Sequence, residues 1–122
     1  MKFLLDSVIV IDHLNGIEAA TGFIADHATS SALSVITRAE VLAGCGKTSE
    51  VPVMNLLNQF PTLPMTTEIA DAAARLRRSE RWKLPDAIQA AIAIGHQLTL
   101  VTRNTRDFQP GGQPEVLTPY AL

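Results

Sequence analysis

The stretch K-F-L-L-D-S-V-I-V-I-D-H-L, residues Lys2 to Leu14, sets a carboxylate, Asp6, between two short apolar runs. A secretory signal requires an unbroken apolar core of roughly 7–15 residues, and here Asp6 and Asp12 leave only Phe3 to Leu5 and Val8 to Ile11. The stretch reads instead as a strand, Lys2 to Asp6, that turns directly into a helix, Ser7 to Leu14. Ligands of open α/β sheets bind beyond the carboxyl ends of the strands, so Asp6 stands where a functional side chain is expected. Aspartate is also a good helix cap, and the position alone does not separate the two roles.

Outward from this junction, short β-like runs alternate with longer helical patterns, which predicts a parallel sheet flanked by helices and hence the α/β class. Glu18 to His27 reads as a helix and Ser31 to Ser34 as a strand. Thr37 opens a helix that stops at Gly44-Cys45-Gly46. Val53 to Phe60 is helical and Pro61 to Met65 extended. Thr67 to Trp82 forms a long amphipathic helix with Ile69, Ala72, Ala73 and Leu76 on one face. Pro85 starts a helix whose stretch Ala87 to Ile94 is small and apolar enough to be buried on most sides. Leu98 to Thr102 is a strand, a polar loop runs to Asp107, and the tail with Pro110-Gly111-Gly112 and Pro114 is loop up to a last strand at Glu115 to Thr118.

Composition narrows the class further. The 122 residues suit one domain, 1–122, with a core of its own. Cys45 is the sole cysteine, and His13, His27 and His96 are scattered, so no zinc-type spacing exists. No segment approaches the roughly 18 apolar residues of a membrane helix, and the chain is expected to be soluble and cytoplasmic. A net charge of −2 gives no global signature of nucleic-acid binding. Yet five of the ten basic residues fall in R-L-R-R-S-E-R-W-K, Arg75 to Lys83, a run that suits either a solvated helix face or phosphate binding.

Three further acids stand in telling places. Glu40 closes T-R-A-E, a capping-box spacing from Thr37. Asp86, in L-P-D-A, occupies the first turn of the buried helix, where the helix dipole favours negative charge. Asp107 closes T-R-N-T-R-D-F just after a strand, and both it and Asn104 are capable turn-formers. Each has an ordinary structural reading by itself. Together, in an alternating α/β chain, all four acids can converge on one edge of the sheet. Crowded carboxylates repel and raise one another's pKa values, and a divalent cation relieves the conflict. An all-oxygen donor set suits Mg²⁺ or Mn²⁺, which leave positions open for phosphate oxygens and water. Phosphodiester hydrolysis is the reaction class such a site favours.

The segments L-L-D-S-V-I-V-I-D, T-R-A-E-V-L-A-G, L-P-D-A-I-Q-A-A-I-A and L-V-T-R-N-T-R-D-F resemble, in order and over almost the whole chain, the signature segments of PIN-domain ribonucleases of the VapC toxin type. The resemblance implies a PIN-like three-layer fold, a short parallel sheet with helices on both faces. It implies a Mg²⁺-dependent endoribonuclease acting as the toxin of a toxin–antitoxin pair, with Mn²⁺ as a substitute. Asp6, Glu40, Asp86 and Asp107 become the catalytic and metal-binding acids, with Ser7, Thr102 and Asn104 in support. The family often shows T-x-D-x-x-F, whereas Thr102 is followed by Asn104 and the acid comes at Asp107, so the fourth position and a second metal ion are left open. Arg38, Arg75, Arg78, Arg81, Arg103 and Arg106 are the expected RNA contacts. The implied partners are RNA, a small antitoxin whose C-terminal segment fills the pocket, and a second copy in a homodimer. Two other readings fit parts of the pattern. A PIN-fold binding module with weak or lost catalysis, acting through antitoxin or operator, is kept open by Asn104. A receiver-like aspartyl-phosphate domain would need a second acid beside Asp6 and a lysine after a later strand, which Ser7-Val8 and Asn104-Thr105 do not supply.

Overall fold

The computed structural model describes residues 1–109 and 111–122; Pro110, expected in the tail loop, lies outside them. Five strands, β1 (Phe3–Leu5), β2 (Ser31–Ser34), β3 (Thr62–Leu63), β4 (Thr99–Val101) and β5 (Val116–Leu117), form one sheet in the order β3-β2-β1-β4-β5. Every adjacent pair is parallel. The chain moves outward from β1 to β2 and β3, then returns to the other side of β1 with β4. That reversal is a topological switch point, and it lies at the carboxyl ends of β1 and β4.

Side-chain alternation along the strands divides the core in two. Leu4, Ala32 and Leu100 point to one face, where they meet α5 (Thr67–Glu80) and α6 (Leu84–Gly95) through Ile69, Ala73, Ala90 and Ile92. Phe3, Leu5, Leu33 and Val101 point to the other face, covered by α1 (Ser7–Leu14), α2 (Glu18–His27), α3 (Val35–Gly44) and α4 (Glu50–Leu57) through Ile9, Ile24, Val41 and Leu57. This is the helix-flanked parallel sheet expected from the alternating pattern, in the three layers that the resemblance implies. No helix among the described residues is long and apolar enough to cross a membrane.

Several boundaries differ from the sequence reading for identifiable reasons. The helix expected to open at Thr37 starts at Val35, because Ser34 is the cap and its Oγ accepts from the Thr37 N–H at 3.1 Å. Helix α4 starts three residues before the expected Val53, since Pro52 sits in its first turn, where a missing N–H costs nothing. Helix α5 ends before the expected Trp82, at Glu80; Arg81 then adopts a left-handed conformation (φ 61°), the usual geometry for stopping a helix.

Candidate active site: a carboxylate-lined crevice

Asp6 takes the capping role that its position allows, and its carboxylate is held by other side chains as well. Its Oδ1 accepts the Ser7 N–H at 2.9 Å, capping α1. The same oxygen accepts from Gln89 Nε2 at 3.1 Å, and Oδ2 accepts the Thr102 hydroxyl at 2.7 Å. Thr102 leaves β4 directly beside Asp6, whose own N–H donates to Val101 O at 2.9 Å. The carboxylate is thus pinned at the switch point between the two central strands.

Asp86 follows Leu84 and Pro85 in the first turn of α6, one residue later than a helix opening at Pro85 would place it. Burial, followed by the charges of Asp6, Asp107 and Glu40, pushes its carboxyl up to about 6, with Lys83 opposing weakly. Four acids remote in sequence therefore share one electrostatic field. Glu40 belongs to it from the second turn of α3, not the first, so the expected Thr37–Glu40 capping box does not form. Ser34 holds the cap, and the buried Thr37 hydroxyl donates instead to Leu5 O at 3.0 Å. Glu40 is exposed, and among the described residues its carboxylate caps no helix end.

The loop after β4 is closed on itself. Asn104 Nδ2 donates to Asp107 Oδ2 at 3.0 Å, the Asp107 N–H donates back to Asn104 Oδ1 at 3.3 Å, and the Asn104 N–H donates to Thr102 Oγ1 at 3.0 Å. Asn104 is thereby engaged in holding Asp107, whose charge reaches Asp86. Trp82, between α5 and α6, fastens the loop from the other side. Its Nε1–H donates to Asp107 O at 3.0 Å, and its ring packs on Phe108 with centroids 5.0 Å apart.

The expected arginine rim is only partly free. Arg103 is withdrawn from it: Nε and Nη2 donate to Asp12 Oδ2 and Oδ1 at 2.6 and 3.0 Å, and the Tyr120 hydroxyl donates to Asp12 Oδ2 at 2.8 Å. The Arg103 hydrogen bonds hold the Asp12 carboxyl below its ordinary range against the opposing effect of burial. Arg38 is half-buried and donates to Asn58 Oδ1 at 2.9 Å. Arg75, Arg78, Arg81 and Arg106 are exposed. Arg75 lies against an apolar groove with Leu76, Ala91 and Ile94, more than a turn of α6 from Asp86. Arg78 and Arg81 do not share a helix face, because Arg81 lies beyond the helix end. Arg77 is not a neutral position either, since its Nη1 donates to Trp82 O at 2.5 Å and braces the turn into α6.

Gln89, Trp82, Asp12 and Tyr120 also shape the site, and sequence alone does not single them out. Gln89 carries a legible signal, a lone amide one turn after Asp86 in an otherwise apolar helix. The contacts of Asp12 with Arg103 and Tyr120 span most of the chain, and no local pattern encodes them.

The donor set at the crevice is entirely oxygen, the chemistry a hard cation requires. Among the described residues no three acid, histidine or cysteine side chains close into a ready-made ligand cluster. An ion held by one or two carboxylates with water completing its shell, as Mg²⁺ commonly is, needs no such closure. Asp86, raised first by burial and then by its acid neighbours, is a group whose charged form a cation would favour.

A parallel sheet with helices on both faces and acids gathered at its switch point defines an α/β domain with a carboxylate crevice. The chain belongs to the PIN domain family, whose sequence profile matches residues 3–109. It is 35% identical over 112 residues to ribonuclease VapC10 of Mycobacterium tuberculosis, covering 86% of this chain and 84% of that protein. A chain solved in a toxin–antitoxin complex from Klebsiella pneumoniae is 37% identical and superposes with a TM-score of 0.91 over 99% of this chain and 100% of its own. In the DNA-bound VapBC structure from Salmonella typhimurium, a chain 20% identical shares the fold, with a TM-score of 0.81 over 96% of this chain and 97% of its own. The likeness of the four segments to VapC-type PIN domains is thus met in sequence and in fold.

Proposed function

We propose that this chain is a Mg²⁺-dependent endoribonuclease, the toxin of a toxin–antitoxin pair, which hydrolyses RNA phosphodiester bonds at the Asp6–Asp86 crevice. The observation that carries the reading is Asp86 itself, raised to about 6 by burial and by three acids drawn from the end of β1, from α3 and from the loop after β4. Similarity to ribonuclease VapC10 and to a chain of a toxin–antitoxin complex supports the reaction class and the partner. Asp6 and Asp86 would hold Mg²⁺ directly, with Mn²⁺ able to substitute. Such an ion supplies positive charge to the scissile phosphate and acidifies the attacking water. Glu40, exposed and unspent, accepts a proton from that water or holds it in place. Asp107, fixed by Asn104 and Trp82, completes the negative wall, and Thr102 and Ser7 orient Asp6. A cognate antitoxin covers the crevice, and the active form is a homodimer.

Expression without the antitoxin should arrest growth, and sequencing of cellular RNA 5′ ends after brief induction should show new, discrete cut sites. Asp6→Asn keeps the shape of the side chain and removes the charge a hard cation requires, so both effects should vanish while the variant stays folded. A folded, toxic Asp6→Asn variant would overturn the mechanism.

Arg78 and Arg81 flank the approach to α6. For single-stranded RNA, each phosphate that a cationic side chain neutralises adds about 0.7 to the steepness of log K against log[salt]. In an Asp6→Asn background, the Arg78→Gln/Arg81→Gln pair should bind RNA more weakly and with a slope shallower by about 1.4. An unchanged slope would assign the basic run to solvation alone.

A further inference from the structure

Gln89 is 2% exposed in a helix whose buried face is otherwise apolar, and its amide makes three hydrogen bonds to three different side chains. Burying an amide there is costly unless its polar atoms are paired, and here they are. Nε2 donates to Asp6 Oδ1 at 3.1 Å and to Thr37 Oγ1 at 2.7 Å, while Oε1 accepts from the Ser34 hydroxyl. The orientation of the amide is dictated by its neighbours. A carboxylate can only accept. The Thr37 hydroxyl already donates to Leu5 O, so toward Gln89 it accepts. Ser34 Oγ already accepts the Thr37 N–H and spends its proton on Oε1. Only an amide, with two donors on one side and an acceptor on the other, satisfies this arrangement.

Gln89 and its three partners join three acid-bearing parts of the site. Asp6 follows β1, Ser34 and Thr37 open the helix that carries Glu40, and Gln89 lies one turn after Asp86. Asp6 offers about four lone-pair positions. Ser7 and Gln89 occupy Oδ1 and Thr102 occupies one position of Oδ2, which leaves one on Oδ2 for a further partner. We infer that Gln89 is a positioning residue: it holds the Asp6 carboxylate in the one orientation that presents this free position to the crevice, and it fixes the helix bearing Glu40 and the helix bearing Asp86 to the same point. The inference rests on the metal-dependent reading above.

The test is a double-mutant cycle read by Mn²⁺ binding to the purified full chain, using Mn²⁺ alone as probe, beside kcat and KM on RNA. Gln89→Leu removes all three bonds at similar volume. Gln89→Met, unbranched like glutamine and uncharged, removes the same bonds without adding a carboxylate beside Asp6, so it serves if the leucine variant does not fold. Either variant should weaken Mn²⁺ binding about tenfold and lower kcat by roughly 10- to 100-fold, with KM for RNA unchanged because Gln89 touches none of the exposed arginines. In an Asp6→Asn background, which should itself bind Mn²⁺ weakly, the same substitution should cost a smaller factor than in wild type, since the carboxylate is gone and only the hold on the two helices remains. Wild-type Mn²⁺ affinity in folded Gln89 variants, or an equal loss in both backgrounds, would overturn the inference. Wild-type protein that binds neither Mn²⁺ nor Mg²⁺ would fail one step earlier, overturning the metal reading and this inference with it.

Discussion

Asp86→Asn is expected to make the metal-free protein more stable at neutral pH while lowering RNA cleavage by roughly 10²–10³, the scale on which loss of one preorganised electrostatic partner is felt. The two effects have one cause. The Asp86 carboxyl stands at about 6 in the folded chain against 3.8 as its ordinary value, so below about pH 4 it is protonated in both states and contributes no penalty. As pH rises through the interval between these values, the folded state alone resists ionisation, and stability falls until the group is charged in both states above about pH 6. Each pKa unit is worth about 1.4 kcal/mol. With allowance for the solvent screening of a half-buried group, the penalty at pH 7.5 is about 2 kcal/mol. Asparagine removes it, and Tm should rise by roughly 5–10 °C. Mn²⁺ should recover the same stability in wild-type protein and not in the variant. Thermal melts in EDTA at pH 4.5 and 7.5 check this, and an Asp86→Asn variant no more stable than wild type at pH 7.5 would show that the acids are separately solvated.

Arg103→Ala should destabilise the protein by about 3 kcal/mol at pH 7, the lower end of what breaking a buried pair from one side costs. Asp12 is 6% exposed and, among the described residues, would keep only the Tyr120 hydroxyl. The Arg103 side chain is 28% exposed, which places the loss at the lower end. The pH dependence here has the opposite sign to that of Asp86. The Asp12 carboxyl is lowered in the folded state, so its contribution is present above its ordinary value and is lost as pH falls below it. Metal-free wild type should therefore be most stable at about pH 4, where the two windows meet, and not simply at the lowest pH. Urea melts of wild type and of the single and double Asp12→Asn and Arg103→Ala variants measure the pair directly. Losses that simply add would mean that water already screens the pair.

The N-terminal stretch is decisive because two periodicities meet in it. Phe3 to Leu5 has no polar position and is buried on both faces of the sheet, and the acid that follows marks where strand becomes helix. Helices α1 and α2 and strand β2 have the bounds that pattern and stop signals indicate. The gathering of four acids is legible from strand and helix alternation alone, since topology brings the carboxyl ends of parallel strands to one edge. Cross-chain pairing is not legible in this way. T-R-A-E has the spacing of a capping box, but tertiary contacts assign the cap to Ser34 and turn Thr37 inward to Leu5 and Gln89. Arg103 has the look of a rim cation because Asp12 is distant from it in sequence, and its guanidinium is instead engaged there. Asn104 has the look of a weakened fourth acid, and its side chain instead holds Asp107 in place.

That Asp6 and Asp86 form a metal-dependent phosphodiester-cleaving site is tested most directly by cleavage of a defined RNA by purified, antitoxin-free protein. The reaction is followed over time with EDTA, then with Mg²⁺ or Mn²⁺ restored, in wild type and Asp6→Asn. A metal-dependent site predicts no cleavage in EDTA, full recovery on adding either ion to wild type, and no recovery in a folded Asp6→Asn variant. Cleavage at an undiminished rate in EDTA, or by Asp6→Asn in the presence of Mg²⁺, would contradict it.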